Sequence, residues 1–275
     1  MIHTIDPTKD FFFIAGPCLV EGEEMMGRVA EHLSSIARRL NVQLILKGSF
    51  KKANRTSLHS TVTIGEEAAL KILAEAGRTY SLPTLTDIHT EEDALNAAKY
   101  VDVLQIPAFL SRQTDLLLAA GQTGKAVNIK KGQFMAPEDI GYAVEKVQSV
   151  SGGGDVMVCE RGVSFGYHNL VVDMRGLIRM RQFGVPVIFD ATHSTQQPSL
   201  GTSSGGERQF ALPLARAATA VGVNALFFET HPDPANALSD GATQIPLDEA
   251  AEFMRQVVLF HQLQSELAGE HGVSH

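Results

Sequence analysis

Short apolar runs recur along the chain, each ending in a polar or glycine-rich cluster: 11–16 (FFFIAG), 42–46 (VQLIL), 83–87 (PTLTD), 101–106 (VDVLQI), 126–129 (AVNI), 156–159 (VMVC), 185–189 (VPVIF) and 225–229 (ALFFE). Each is too short for a helix and rich in β-branched or aromatic side chains, the pattern of a strand buried on both faces. Between them the apolar positions change to helical spacing. Met26, Val29, Ala30, Leu33, Ile36, Ala37 and Leu40 share one face of 23–40, and Ala69, Leu70, Leu73 and Ala76 share one face of 66–76. Further helices are expected over 91–99, 112–120, 137–150, 173–182, 207–221 and 247–263. Pro137 followed by Glu138 and Asp139 marks a helix start, because proline presets the first turn and acids suit the dipole. Gly77 and Gly121 read as helix stops.

Eight strands alternating with eight helices predict one closed parallel (β/α)8 TIM barrel, a single domain over 1–275. Neither GxGxxG nor a P-loop pattern is present, and the SGGG at 151–154 precedes a strand, so it reads as a connection. The polar segment 1–10 is expected to be too short to cap the barrel floor as a hairpin. The tail 268–275 (AGEHGVSH) reads as disordered, and 196–206 (QQPSLGTSSGG) as a mobile loop over the active face.

Composition narrows the function classes. Of 275 residues, 44% are hydrophobic and 20% charged, enough for a sizeable core and against disorder. The formal net charge of −8 argues against general nucleic-acid binding, although a basic pocket within an acidic surface would suit an anionic metabolite. There is no secretory pattern and no apolar run near the roughly 18 residues of a membrane span. With two cysteines, Cys18 and Cys159, a reduced cytoplasmic setting is the default.

The chemistry gathers where strands end. Lys47, Lys52, Arg55, Lys130 and Arg161 come from three strand ends and would converge in a narrow mouth. Burying that much like charge is costly unless phosphate or carboxylate answers it; the competing reading is salt bridging to barrel acids. Cys18, His193, Glu229 and Asp240 follow strands one, seven and eight, which become neighbours on closure. They offer a thiolate, an imidazole and two carboxylates, a donor set for zinc, iron, manganese or cobalt. Against this, a lone cysteine is often a small buried hydrophobe and a histidine beside an aspartate is often structural. Cys159 reads as core, and His231 as a supporting or loop residue.

The motifs IAGPC, LKGSFKKANRTS, LTDIH, LQIPAFLSRQTDLL, NIKKGQF, ERGVSFGYHNLVVD, FDATHS and FETHPDPANALSDGATQIPL carry a resemblance over about 12–263. In number and order they resemble the 3-deoxy-D-manno-octulosonate 8-phosphate (KDO8P) synthase family. That resemblance implies a transferase of lipopolysaccharide sugar synthesis, cytoplasmic and homotetrameric, which joins phosphoenolpyruvate to arabinose 5-phosphate and releases phosphate. It implies that Lys47 and Lys52 hold and position the phosphoenolpyruvate carboxylate. Ser49, Lys130 and Arg161 would hold its phosphate with Gln105 nearby, and Asp87 would lie near the sugar. Asn54 and Arg55 would contact arabinose 5-phosphate, as would Ser204, with Ser203 a rival. Arg112 would reach a neighbouring subunit's site. Catalytic weight falls on Lys47, Lys52, Asn54, His193 and Asp240.

The family's metal-dependent branch carries cysteine after the AGP turn where the other carries asparagine. Cys18 therefore implies a divalent ion held by Cys18, His193, Glu229 and Asp240. The nearest rival makes 3-deoxy-D-arabino-heptulosonate 7-phosphate from erythrose 4-phosphate, with a KPRTS-type sequence where this chain has KANRTS. A Schiff-base aldolase using Lys130 and a non-catalytic barrel are the alternatives from other classes.

Overall fold

A computed structural model of the chain describes residues 2, 5–53, 63–151, 155–197 and 205–271. Strands β1 (Phe12–Gly16), β2 (Gln43–Lys47), β3 (Thr84–Asp87), β4 (Val103–Ile106), β5 (Ala126–Lys130), β6 (Val156–Glu160), β7 (Val187–Asp190) and β8 (Ala225–His231) pair in parallel and in chain order. The ring closes where β1 pairs with β8, Phe12 opposite Ala225 and Gly16 opposite Glu229. Helices α1 (Glu23–Leu40), α2 (Glu66–Tyr80), α3 (Glu91–Ala97), α4 (Thr114–Gln122), α5 (Ile140–Ser151), α6 (Met174–Met180), α7 (Ala211–Val221) and α8 (Ala250–His271) follow the strands in turn. The fold is the expected (β/α)8 barrel. Among the described residues no helix is long and apolar enough to cross a membrane.

Strand alternation divides the core in two. Outward-facing residues such as Phe13, Ala15, Leu44, Leu46, Val158 and Phe228 pack against the helices, where Val29, Leu33, Leu73, Leu117 and Met254 meet them. Inward-facing Phe12, Ile14, Ile45, Leu85, Val103, Met157, Cys159, Ile188 and Phe227 fill the lower barrel. Cys159 is thus core, as expected.

Four expectations are corrected. Gly77 and Gly121 lie inside α2 and α4 and do not stop them. Each makes room for a close approach: a Cβ on Gly77 would lie 2.3 Å from Thr84 Cγ2, and one on Gly121 would lie 2.6 Å from Val150 Cγ2. The α2 stop is instead Ser81, in the left-handed region at φ 56°. At the C-terminus α8 continues to His271, so 268–271 of the expected disordered tail are helical, and 272–275 lie outside the described residues. The N-terminal segment does reach the floor. Ile2 and Ile5 exchange backbone hydrogen bonds of 2.9 Å each way, and both side chains are buried in the inner cluster. Of the loop after β7, Gln196–Gln197 and Gly205–Gly206 form a short antiparallel ribbon; 198–204 lie outside the described residues.

Candidate active site

Two residues beyond six of the inward apolar positions stands a polar one facing the same interior: Lys47 after Ile45, Asp87 after Leu85, Gln105 after Val103, Arg161 after Cys159, Asp190 after Ile188 and Glu229 after Phe227. On β5 both Asn128 and Lys130 continue the row. The polar face is therefore a consequence of strand period, and the carboxyl ends of the strands carry it, as in other barrels of this architecture.

The barrel's own acids answer three of its lysines. Lys47 Nζ donates to Glu229 Oε1 at 2.5 Å and to the carbonyls of Pro17 and Cys18 at 3.1 and 2.8 Å. Lys52 Nζ meets Asp240 Oδ2 at 2.6 Å, and Lys130 Nζ meets Asp190 Oδ2 at 2.6 Å. Burial alone would lower the Lys47 and Lys52 ammonium groups. The ionisable groups around them outweigh it, Glu229 chiefly for Lys47 and Cys18 with Asp240 for Lys52, and both are raised above an ordinary lysine. In return, Glu229, Asp240, Asp87 and Asp190 all sit below the usual carboxylate range despite burial, held there mainly by these cations and by His193. The competing reading of the cationic ring, salt bridging to barrel acids, thus describes these three lysines.

Arg161 differs. Its guanidinium donates to the His193 carbonyl at 3.1 Å and to Gln196 Oε1, while its buried Nε has no partner among the described residues. Burial lowers it from its ordinary value.

Sγ of Cys18, a carboxylate oxygen of Glu229 and one of Asp240 lie within 4.8 Å of one another. The Cys18 thiol donates to Asp240 Oδ2 at 3.2 Å, and burial, reinforced by Glu229, raises it well above an ordinary cysteine. Glu229 Oε2 is buried without a hydrogen-bond partner among the described residues. Such an oxygen is costly to leave unmet, and an ion among these three groups would meet it. His193 is not within that tight set, but its Nε2 lies 3.8 Å from Glu229 Oε2. Its Nδ1 is 2.8 Å from Asp190 Oδ2, so a proton held there leaves the Nε2 lone pair facing the cluster. Asp240 adopts a left-handed backbone at φ 49°, which aspartate tolerates better than most residues. Gln244 holds the Cys18 N–H at 3.1 Å and so ties the loop after β1 to the loop after β8.

On the other side of the mouth, Ser49 Oγ donates to Asp87 Oδ2 at 2.6 Å, Gln105 Nε2 donates to Asp87 Oδ1 at 2.8 Å, and Asn128 Nδ2 donates to Gln105 Oε1 at 2.8 Å. Of the residues expected from sequence, Cys18, Lys47, Ser49, Lys52, Asp87, Gln105, Lys130, Arg161, His193, Glu229 and Asp240 come together here. Arg112 is exposed, in the connection between β4 and α4. Asn54, Arg55, Ser203 and Ser204 lie outside the described residues. His231 is buried near the cluster, its Nδ1 accepting from the Asp233 N–H at 3.0 Å and its Nε2 3.4 Å from Glu21. Sequence reasoning passed over Asn128, Asp190 as a partner of Lys130 and His193, and Gln244. Period-two counting from Ala126 would have found Asn128.

A family model described as the DAHP synthetase I family matches residues 5–265. The 2-dehydro-3-deoxyphosphooctonate aldolase of Rhodopseudomonas palustris (strain BisB5) is 54% identical over 258 residues, 93% of this chain and 90% of that protein. Proteins of the same name are 52% identical over 256 residues in Paracidovorax citrulli (strain AAC00-1), covering 91% and 90%, and 51% identical over 265 residues in Brucella canis, covering 96% and 95%. The chain belongs to the DAHP synthetase I family.

Proposed function

We propose that this chain is the KDO8P synthase of its host, a carbon–carbon bond-forming transferase. It condenses phosphoenolpyruvate with D-arabinose 5-phosphate and water to give 3-deoxy-D-manno-octulosonate 8-phosphate and inorganic phosphate. The observation that carries the reading is identity above 50% across at least nine-tenths of both chains to relatives named for the octonate product. The convergence of cations and acids in one mouth supports it. The family model is named for the heptulosonate product while the relatives are named for the octonate one, so the family alone does not choose between the aldoses.

The methylene carbon of phosphoenolpyruvate attacks the aldehyde carbon, and the carbon bearing phosphate becomes electron-poor. Water adds there, and the carbon–oxygen bond to phosphate then breaks. Lys130 and Arg161, with Ser49 and Gln105, bind the phosphoenolpyruvate phosphate; Lys47 and Lys52, both kept protonated, donate to its carboxylate. Positioning of this kind can be worth several kcal/mol, roughly 7 or more in well-aligned cases. Asp87 orients the sugar, with Asn54, Arg55 and Ser204 on its phosphate. Cys18, His193, Glu229 and Asp240 would hold a zinc, iron, manganese or cobalt ion, which when bound supplies a Lewis acid for the aldehyde or for a water. Committing Glu229 and Asp240 to that role leaves Lys47 and Lys52 free for the substrate carboxylate. The same proposal makes the chain a cytoplasmic homotetramer in which Arg112 serves a neighbouring mouth, within lipopolysaccharide synthesis.

Offering arabinose 5-phosphate and erythrose 4-phosphate side by side tests the assignment. Turnover with the five-carbon sugar is expected. Turnover with erythrose 4-phosphate alone would overturn it, and a borohydride-trapped substrate adduct on Lys130 would replace it with a Schiff-base aldolase.

A further inference from the structure

Lys131 and Glu160 take no part in the network inside the mouth. Lys131 follows Lys130 and Glu160 precedes Arg161, so alternation turns both to the outer face of the barrel, between strands and helices. Both are buried, Lys131 completely. They lie level across the β5–β6 ladder, where Lys130 is opposite Cys159 and the Lys131 N–H donates to the Cys159 carbonyl at 2.8 Å. Lys131 Nζ is 3.4 Å from Glu160 Oε2 and donates to the carbonyls of Gly132 and Met135 at 3.3 and 3.1 Å. Glu160 Oε1 accepts the N–H groups of Arg161 at 2.9 Å and Gly162 at 2.6 Å. Gly162 has φ 91°, a left-handed turn that suits glycine, so the carboxylate grips a bend in the chain.

A buried ion pair is weak evidence for stability, since two well-packed apolar groups often serve as well. This pair does something apolar groups cannot. It holds four backbone groups just past the ends of two adjacent strands, and the inward residue at each end is a cation. We infer that Lys131 and Glu160 form a positioning clamp that fixes the β5 and β6 ends from outside and thereby presets Lys130 and Arg161 for the phosphate of phosphoenolpyruvate. The inference rests on the phosphate-site reading of those two cations given above.

The test compares Lys131→Met/Glu160→Gln with Arg161→Met, reading the KM of each substrate, kcat, inhibition by inorganic phosphate, and thermal melting. The paired substitution removes both charges together, so no lone buried charge remains. Glu160→Asp, which keeps the charge but withdraws it by one methylene from the two N–H groups, is the second variant should the paired one not fold. The expected result in the folded variants is a rise on the order of ten- to a hundredfold in the KM for phosphoenolpyruvate and in the phosphate inhibition constant, with the KM for arabinose 5-phosphate within about twofold. An unchanged phosphoenolpyruvate KM beside a raised one in Arg161→Met overturns the clamp alone. Equal rises for both substrates overturn it as well, because general loosening would explain them. An unchanged KM in Arg161→Met overturns the phosphate-site reading and the clamp with it.

Discussion

The floor and the mouth of this barrel are built from the same strands two residues apart, and they solve burial in opposite ways. The floor fills space with Phe12, Ile14, Ile45, Met157, Ile188 and Phe227, plugged by Ile2 and Ile5. The mouth fills it with Lys47–Glu229, Lys52–Asp240 and Lys130–Asp190, charges that would cost far more to bury singly. The two cysteines show the contrast within one residue type. Both thiols are buried and both are raised well above an ordinary cysteine by desolvation. Cys159 donates only weakly to the Glu160 carbonyl, at 3.8 Å, inside an apolar layer, whereas Cys18 faces two carboxylates, one with an unmet oxygen. Burial alone therefore does not distinguish a structural thiol from a candidate ligand; the neighbours do.

The sharpest way to break the comparison is to truncate each cysteine. Cys18→Ala is expected to weaken divalent-metal binding by at least about 100-fold and to remove turnover, measured by metal content and by phosphate release. Cys159→Ala should leave both unchanged and lower stability by only about 1 kcal/mol in denaturant unfolding. A Cys18→Ala protein fully active in chelator would remove the metal role. Next, the floor should be a matter of stability only. Phe12→Ala is expected to cost about 3–5 kcal/mol, while the KM values of the remaining folded enzyme stay put.

How far this contrast is legible in the sequence depends on what each residue answers to. Helix α1 matches its expected bounds because seven apolar residues at helical spacing, with Glu23 and Glu24 at its start and Arg38 and Arg39 at its end, all agree. Gly77 and Gly121 mislead because a glycine that admits a neighbour looks in sequence like one that ends a helix. The floor plug rests on two isoleucines, too sparse to form a pattern. Lys47, Lys130, Arg161 and Glu229 are readable because a charged residue ending an apolar run is itself anomalous. Lys131 and Glu160 are anomalous in the same way, yet adjacency to Lys130 and Arg161 hides that they face outward. Cys18 is legible through the IAGPC motif; Asp190 and Asn128 act through other side chains and Gln244 through the Cys18 backbone, and partners that distant in sequence emerge only on folding.

A smaller effect sharpens the mouth. Asn128→Ala withdraws the donor that orients Gln105 toward Asp87, and should cost about 1–2 kcal/mol of transition-state stabilisation, a several- to roughly 30-fold fall in kcat/KM. An unchanged kcat/KM would mean that Gln105 and Ser49 hold Asp87 without it. The smallest effect lies beside the mouth, where Asp93 completes the capping box of the α3 N-cap Thr90 and binds Lys51 at 2.6 Å. Burial would raise its carboxyl, but hydrogen bonds from His89 and Lys51 outweigh burial and hold it below the usual range. A depressed folded value contributes stability above the ordinary aspartate value of about 3.9 and loses it as pH falls below that. Asp93→Asn should thus be less stable at neutral pH and show a shallower decline between about pH 4 and 2; an identical acid profile would contradict the pairing.

The most direct test of the mouth as a metal-assisted, anion-binding site is metal analysis of the purified protein joined to activity after chelation and re-addition, with arabinose 5-phosphate as the aldose. The expected result is about one divalent ion per chain, loss of turnover on chelation, and recovery when the ion returns. Full turnover by a chelated, metal-free protein would contradict it.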